Sequence, residues 1–141
     1  MDAVVIYESL TGNTAKAGRA IAARLTANGV PTVACPITQI DYAALSRAEL
    51  VVVGSWVDGF ILVGQRPGRA GRIARMPALA GKKAAVYLTY AIDPGKALHK
   101  MSAAVADLGA DVLGGTTIRR DKLDQGVDDF VDRLLGAIAP A

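Results

Sequence analysis

The chain is written in blocks of two alternating kinds. Ala3-Val4-Val5-Ile6-Tyr7 is a continuous β-branched run, the pattern of a strand buried on both faces of a parallel sheet. Positions 13–28 change rhythm: they are rich in Ala, with Ile21 and Leu25 at helical spacing and a stop at Asn28-Gly29. Val30 to Pro36 predicts a second strand, the stretch around Tyr42 and Leu45 a short turn of helix, and Leu50-Val51-Val52-Val53-Gly54 a third, buried strand. Residues 66–76 predict a helix that Gly71 weakens. Ala84 to Thr89 reads as a fourth strand, 95–108 as a helix stopped by Gly109, and Val112 to Ile118 as a fifth strand. Over 124–138 an amphipathic helix carries Val127, Phe130, Val131, Leu134 and Leu135 on one stripe.

Strands alternating with helices predict an α/β fold, a doubly wound five-stranded parallel sheet with helices on both faces and right-handed crossovers. A chain of 141 residues is the length of one ordinary domain, so 1–141 is expected to form a single unit. Ligands of such sheets bind outside the carboxyl ends of the strands, where the strand order reverses. Chemistry is therefore to be sought after strands one, three and four, in residues 8–14, 54–65 and 90–95.

Composition narrows the class. Hydrophobic residues make up 52% of the chain, which argues against disorder. The one cysteine, Cys35, allows no internal disulfide and reads as a core residue rather than a nucleophile. No signal-peptide pattern and no apolar run of about 18 residues is present, so the expectation is a cytoplasmic protein with no membrane span. His99 is the single histidine and sits in a predicted helix without Cys or a second His beside it. Neither a metal site nor a Ser-His-Asp triad assembles around it.

The first loop reads Glu8-Ser9-Leu10-Thr11-Gly12-Asn13-Thr14 and runs into a helix. Ser9, Thr11 and Thr14 offer hydroxyls to an anion, Gly12 lets the backbone approach, and the helix start adds free amides and a favourable dipole. The same pattern also fits a plain Ser/Thr helix cap. Other phosphate loops fit poorly. Gly12 precedes Asn13 rather than the Lys of a Walker loop, one glycine stands where a dinucleotide fingerprint needs three, and Val53-Gly54-Ser55 ends strand three without the aspartate of a receiver domain.

Val5-Ile6-Tyr7, then Ser9, then Gly12-Asn13-Thr14, closed by Ile21, resembles the FMN-phosphate signature of the flavodoxin family. Gly18 departs from the Ala that the family pattern has at that position. The resemblance implies a flavodoxin-like sheet of order 2-1-3-4-5, FMN as cofactor, and a short-chain form, because the segment from Arg119 to Asp124 is brief. It further implies that Ser9, Leu10, Thr11, Gly12, Asn13 and Thr14 hold the phosphate. Gly54-Ser55-Trp56-Val57-Asp58-Gly59 is similar to the loop that carries a stacking aromatic, followed by a peptide that hydrogen-bonds flavin N5. On that reading Ser55, Trp56, Val57, Asp58 and Gly59 border one side of the ring, and Thr89, Tyr90 and Ala91 the other. The loop 90–95 departs from the family spacing. Trp56 also reads as a core indole and Tyr90 as an ordinary strand end.

Charge adds one more feature. The chain has 16 Lys and Arg against 13 Asp and Glu, whereas flavodoxin carriers are typically acidic. Arg66, Arg69, Arg72 and Arg75 recur every three residues after the second loop. They predict either a solvated helix face or a docking patch for a redox partner with an acidic face. A positive charge about 10–15 Å from a flavin is worth on the order of 1 kcal/mol and raises its potential. Aromatic residues for stacking bases are missing from this stretch, which counts against nucleic acid. Three functions follow: an electron-transfer flavoprotein without catalytic side chains; a small FMN-dependent oxidoreductase, such as a quinone reductase or a protoporphyrinogen-oxidase-like enzyme; or a flavin-free interaction module on the same fold.

Overall fold

The computed structural model describes residues 1–58 and 64–139. Each predicted apolar run becomes a strand and each Ala-rich or amphipathic block a helix. In chain order these are β1 (Ala3–Tyr7), α1 (Asn13–Ala27), β2 (Thr32–Pro36), α2 (Tyr42–Arg47), β3 (Leu50–Asp58), β4 (Arg66–Pro67), α3 (Ala70–Ala74), β5 (Lys83–Tyr90), α4 (Ala97–Asp107), β6 (Asp111–Arg119) and α5 (Leu123–Ile138). Local chemistry sets the ends. Gly29, at φ 87°, follows α1, and Asp41 caps α2 by accepting from the Ala44 amide at 2.9 Å.

The main sheet is parallel, in the order β2-β1-β3-β5-β6. This is the order expected of five strands, with the two-residue β4 pairing off the side of β3. Alternate residues of the central strands face two separate cores. Val4, Ile6, Val51, Val53 and Val86 meet Leu45, Ile73, Met101 and Val105 on one side. Val5, Leu50, Val52 and Tyr87 meet Ile21, Leu25, Val127, Phe130 and Leu134 on the other. Burial on both faces explains why β1 and the first half of β3 read as unbroken apolar runs.

Two expectations are corrected. Strand three does not stop at Gly54 but continues to Asp58, because Val57 and Asp58 pair antiparallel with Pro67 and Arg66. The helix expected over 66–76 is confined to Ala70–Ala74. It is preceded by that short strand and by Arg69 in a left-handed conformation, φ 49°. The four arginines therefore lie on a strand, a turn and a short helix, not on one helical face.

Candidate functional site

The strand order reverses between β2 and β3 on either side of β1, so the loops leaving β1 and β3 diverge and open a crevice at the carboxyl edge. The first wall is the segment from Glu8 to Thr14. Gly12 takes φ 97°, a left-handed conformation that suits glycine, and turns the chain into α1. Ser9 Oγ accepts from the amides of Gly12 and Ala15 at 3.2 and 3.3 Å. Asn13 Nδ2 donates to Thr11 Oγ1 at 3.4 Å. The amides of Asn13 and Thr14 open the helix and have no acceptor within it; no acidic residue lies in that first turn. This end of the crevice is thus poised for an anion.

Thr14 is placed differently from the other hydroxyls. Its side chain is buried, and its Oγ1 lies 2.8 Å from Thr89 Oγ1 at the end of β5. The hydroxyl of Tyr87 donates to the Thr14 carbonyl at 2.8 Å. Burial, with a smaller contribution from Tyr7, holds the Tyr87 hydroxyl protonated well beyond the usual phenol range. These two bonds fasten the start of α1 to the sheet, so Thr14 positions the loop.

Ser55 likewise faces inward: it is buried, and its Oγ donates to the Gly68 carbonyl at 2.7 Å. Gly68 N in turn donates to the Trp56 carbonyl at 2.7 Å. The turn after β4 is thereby held against Trp56. A Cβ on Gly68 would lie 2.1 Å from indole Cε2, so the ring rests directly on glycine backbone. The Arg69 guanidinium stands 5.5 Å from the ring centroid, in cation–π range.

Trp56 also lines a cleft of about 190 Å³, together with Leu10, Thr11, Asn13, Val57, Thr89, Tyr90, Ala91 and Arg120. All but Arg120 are among the site residues singled out from sequence. Asp58 lies beside them in β3, its carboxylate 3.6 Å from Arg66; Gly59 lies outside the described residues. Arg120 was missed because a single arginine after β6 carries no motif; the pairing of β6 with β5, which sets Arg119 opposite Tyr90, brings it here.

A second feature missed from sequence is the environment of Glu8. Its side chain is only 3% exposed, and it accepts from Arg69 Nη1 at 2.5 Å and from Arg72 Nη1 at 3.2 Å. Two of the four arginines expected to face a partner thus neutralise a buried carboxylate at the base of the first loop. Among the described residues no cluster of side chains suited to a metal ion occurs, and no helix is long and apolar enough to cross a membrane.

The lining sorts by chemistry. Trp56 and Tyr90 come from the carboxyl ends of two neighbouring strands, β3 and β5, Val57 and Ala91 are apolar, and hydroxyls, helix amides and a guanidinium gather by the first loop. The donor set fits a flat heteroaromatic ring with an anionic tail.

Comparison with known proteins bears on the family and the fold. The model of the flavodoxin domain matches residues 4–134. The fold is shared with a flavodoxin from Pseudomonas aeruginosa at 16% identity (TM-score 0.75, covering 98% of this chain and 99% of that one). It is shared with two-electron reduced flavodoxin of Megasphaera elsdenii at 19% identity (TM-score 0.72, 97% and 99% covered). An archaeal flavodoxin is 20% identical (TM-score 0.70, 99% and 100% covered). No curated protein sequence matches.

Proposed function

The chain belongs to the flavodoxin family, and from that premise we propose that it binds FMN in the cleft between Trp56 and Tyr90 and acts as an electron carrier. The observation that carries the reading is the cleft itself, which joins two aromatic side chains to the first loop, with Leu10, Thr11 and Asn13 at its border. The bound flavin supplies the redox chemistry, accepting and passing on one or two electrons. The protein's part is to bind, orient and tune.

Ser9 organises the loop by accepting from two of its amides, leaving those of Asn13 and Thr14 for the phosphate. Thr11 and Asn13 add polar groups beside it. Trp56 is held against Gly68 and under Arg69, so one indole face is fixed by protein and the ring enters the complex already oriented. Tyr90 and Ala91 close the opposite side. Glu8, Arg69 and Arg72 form a cluster of net positive charge behind the loop. It is weaker in effect than four free arginines, and it still favours the electron-rich form of the ring. Arg66 pairs with Asp58, so Arg75 is the member of the series most open to an acidic redox partner.

The test is the visible spectrum of the purified protein before and after FMN is added and the sample desalted. Flavin bands that remain with the protein, with quenched Trp56 fluorescence, are the expected result. Trp56→Ala should weaken FMN binding at least about fivefold, since base-like stacking on an aromatic ring is worth about 1–3 kcal/mol. A colourless protein that retains no FMN overturns the reading in favour of a flavin-free module. Turnover of a quinone with a nicotinamide donor, without any added protein, would make it an enzyme and not a carrier.

A further inference from the structure

Among the described residues, the buried polar side chains are Glu8, Thr14, Ser55, Gln65 and Thr89. Glu8, Thr14, Ser55 and Thr89 brace the first loop and the turn beside Trp56. Gln65 has no part in those contacts. It is 7% exposed, directly precedes β4, and lies just ahead of the Gly68 on which the indole rests. A buried amide needs partners, because leaving one bare costs more than a typical hydrogen bond contributes.

The partners of Gln65 lie on the opposite wall. Its Nε2 donates to the Asp93 carbonyl at 3.4 Å. That bond is long, and close packing supplements it. A Cβ on Gly95 would lie 2.3 Å from Gln65 Oε1 and 2.6 Å from Cδ, so the glycine backbone, at φ 53°, rests on the amide. The same loop runs on into α4, and Lys100 of that helix donates from Nζ to the Gln65 carbonyl at 2.8 Å, a charge-assisted bond. Gln65 is thus gripped by side chain and main chain from one continuous segment. That segment begins with Ala91, which lines the cleft. Its other bonds are local: Gly95 N donates to Asp93 Oδ1, and Ala97 N to the Pro94 carbonyl.

We infer that Gln65 is a positioning residue of the cleft, with Lys100 as its anchor: it sets the gap between the wall of Trp56 and Val57 and the wall of Tyr90 and Ala91. The inference rests on the flavin reading for what occupies that gap. Parallel pairing of β3 with β5 ends at Trp56 and Thr89. Beyond that point the sheet no longer holds the two chains together, and the clasp does. A flat ring gains affinity when the spacing of its two walls is set before it binds. None of the clasp's hydrogen bonds reaches the first loop, so the ring end of a ligand depends on it and the phosphate end does not.

The experiment compares the whole native chain with Gln65→Ala, Lys100→Met and Lys100→Arg. Apoproteins are digested briefly with trypsin and the fragments identified by mass. Cleavage after Lys96, at the end of the held loop, is expected to be about fivefold faster in Gln65→Ala and Lys100→Met, with cleavage after Arg24 inside α1 unchanged. FMN and riboflavin are both expected to bind about fivefold more weakly, with their affinity ratio kept and the visible circular dichroism of bound FMN altered. Lys100→Arg keeps a charged donor and should restore native behaviour in each measurement. Unchanged cleavage after Lys96 in both variants overturns the inference, as does faster cleavage with native flavin affinity and dichroism. Equal acceleration after Arg24, or a loss confined to FMN, also overturns it, because either one marks damage beyond the clasp. Native protein that binds neither flavin overturns the flavin reading, while faster cleavage after Lys96 alone keeps the clasp as the brace of the cleft wall.

Discussion

Gly18 of α1 and Tyr87 of β5 fit one another as hollow and filler: a Cβ on Gly18 would lie 2.7 Å from the Tyr87 hydroxyl oxygen. That hydroxyl cannot swing aside without giving up its 2.8 Å bond to the Thr14 carbonyl. Gly54 flanks the same ring, with Cζ 2.0 Å from where its Cβ would stand. The glycine that departs from the family pattern is thus the one that admits a tyrosine tying the sheet to the first loop.

Gly18→Ala is therefore expected to destabilise the protein. Helix propensity favours Ala by about 1 kcal/mol, but overpacking costs about 1–3 kcal/mol, for a net loss of roughly 1 kcal/mol. Tyr87→Phe removes the hydroxyl and costs about 1 kcal/mol for the lost hydrogen bond. In the Tyr87→Phe background Gly18→Ala should become neutral or stabilising. Urea unfolding of the four proteins in the cycle measures this coupling, and a Gly18→Ala variant more stable than the native protein would contradict it.

The Glu8 cluster is expected to respond asymmetrically. Glu8 is buried, while the Arg69 and Arg72 side chains are 42% and 44% exposed. Losing the carboxylate leaves two guanidinium groups that water can still reach. Losing both arginines leaves a buried charge without compensation, which costs about 3–5 kcal/mol. Arg69→Ala/Arg72→Ala should thus destabilise more than Glu8→Gln. Equal unfolding midpoints for the two variants would show that the cluster contributes little.

Gly68 should control the ligand cleft without lining it. Gly68→Ala would set a methyl 2.1 Å from Trp56 Cε2, and the indole must move. We expect a shifted tryptophan emission maximum in the apoprotein and at least a tenfold weaker FMN affinity. Native-like emission with native FMN affinity would mean that the indole orientation is immaterial to binding.

Cys35 lies buried in β2, and burial pushes its thiol above the ordinary value, partly offset by a hydrogen bond with the Asp41 backbone. A raised folded value means that the neutral thiol is the form the fold favours. This contribution to stability is complete below the unfolded value of about 8.5 and is lost as pH rises through the folded one. Native protein should react slowly with alkylating reagents and quickly once unfolded, and Cys35→Ala should flatten the fall in stability above about pH 8.5. Fast alkylation of the native protein at neutral pH would place the thiol at the surface.

Periodicity and local chemistry were enough for much of this molecule. Runs such as Val51-Val52-Val53 declare a strand buried on both faces. Asn28-Gly29 ends α1 where the residues themselves demand it. The segment Ser9 to Thr14 carries its anion-binding character in hydroxyls, a glycine and a helix start that adjoin in the chain. Interactions of this kind span a few residues, so they are written contiguously and can be read contiguously.

What remained hidden depends on residues far apart in the chain. The extension of β3 to Asp58 needs Arg66 and Pro67 as partners, and a two-residue strand has no period. The regular spacing of Arg66, Arg69, Arg72 and Arg75 suggested a single charged face, but a left-handed Arg69 and a buried Glu8 redirect two of them inward. Thr14 and Ser55 carried the right chemistry for a ligand, yet their hydroxyls are taken up by Thr89 and Gly68. By itself the sequence determined the α/β order of elements, the strand edge where the cleft lies and the loop that suits an anion. Only the tertiary structure decided which side chains line the cleft, which brace it, and that Arg120 joins it. Burial and charge pairing depend on what the folded chain brings alongside, and local spacing does not encode that.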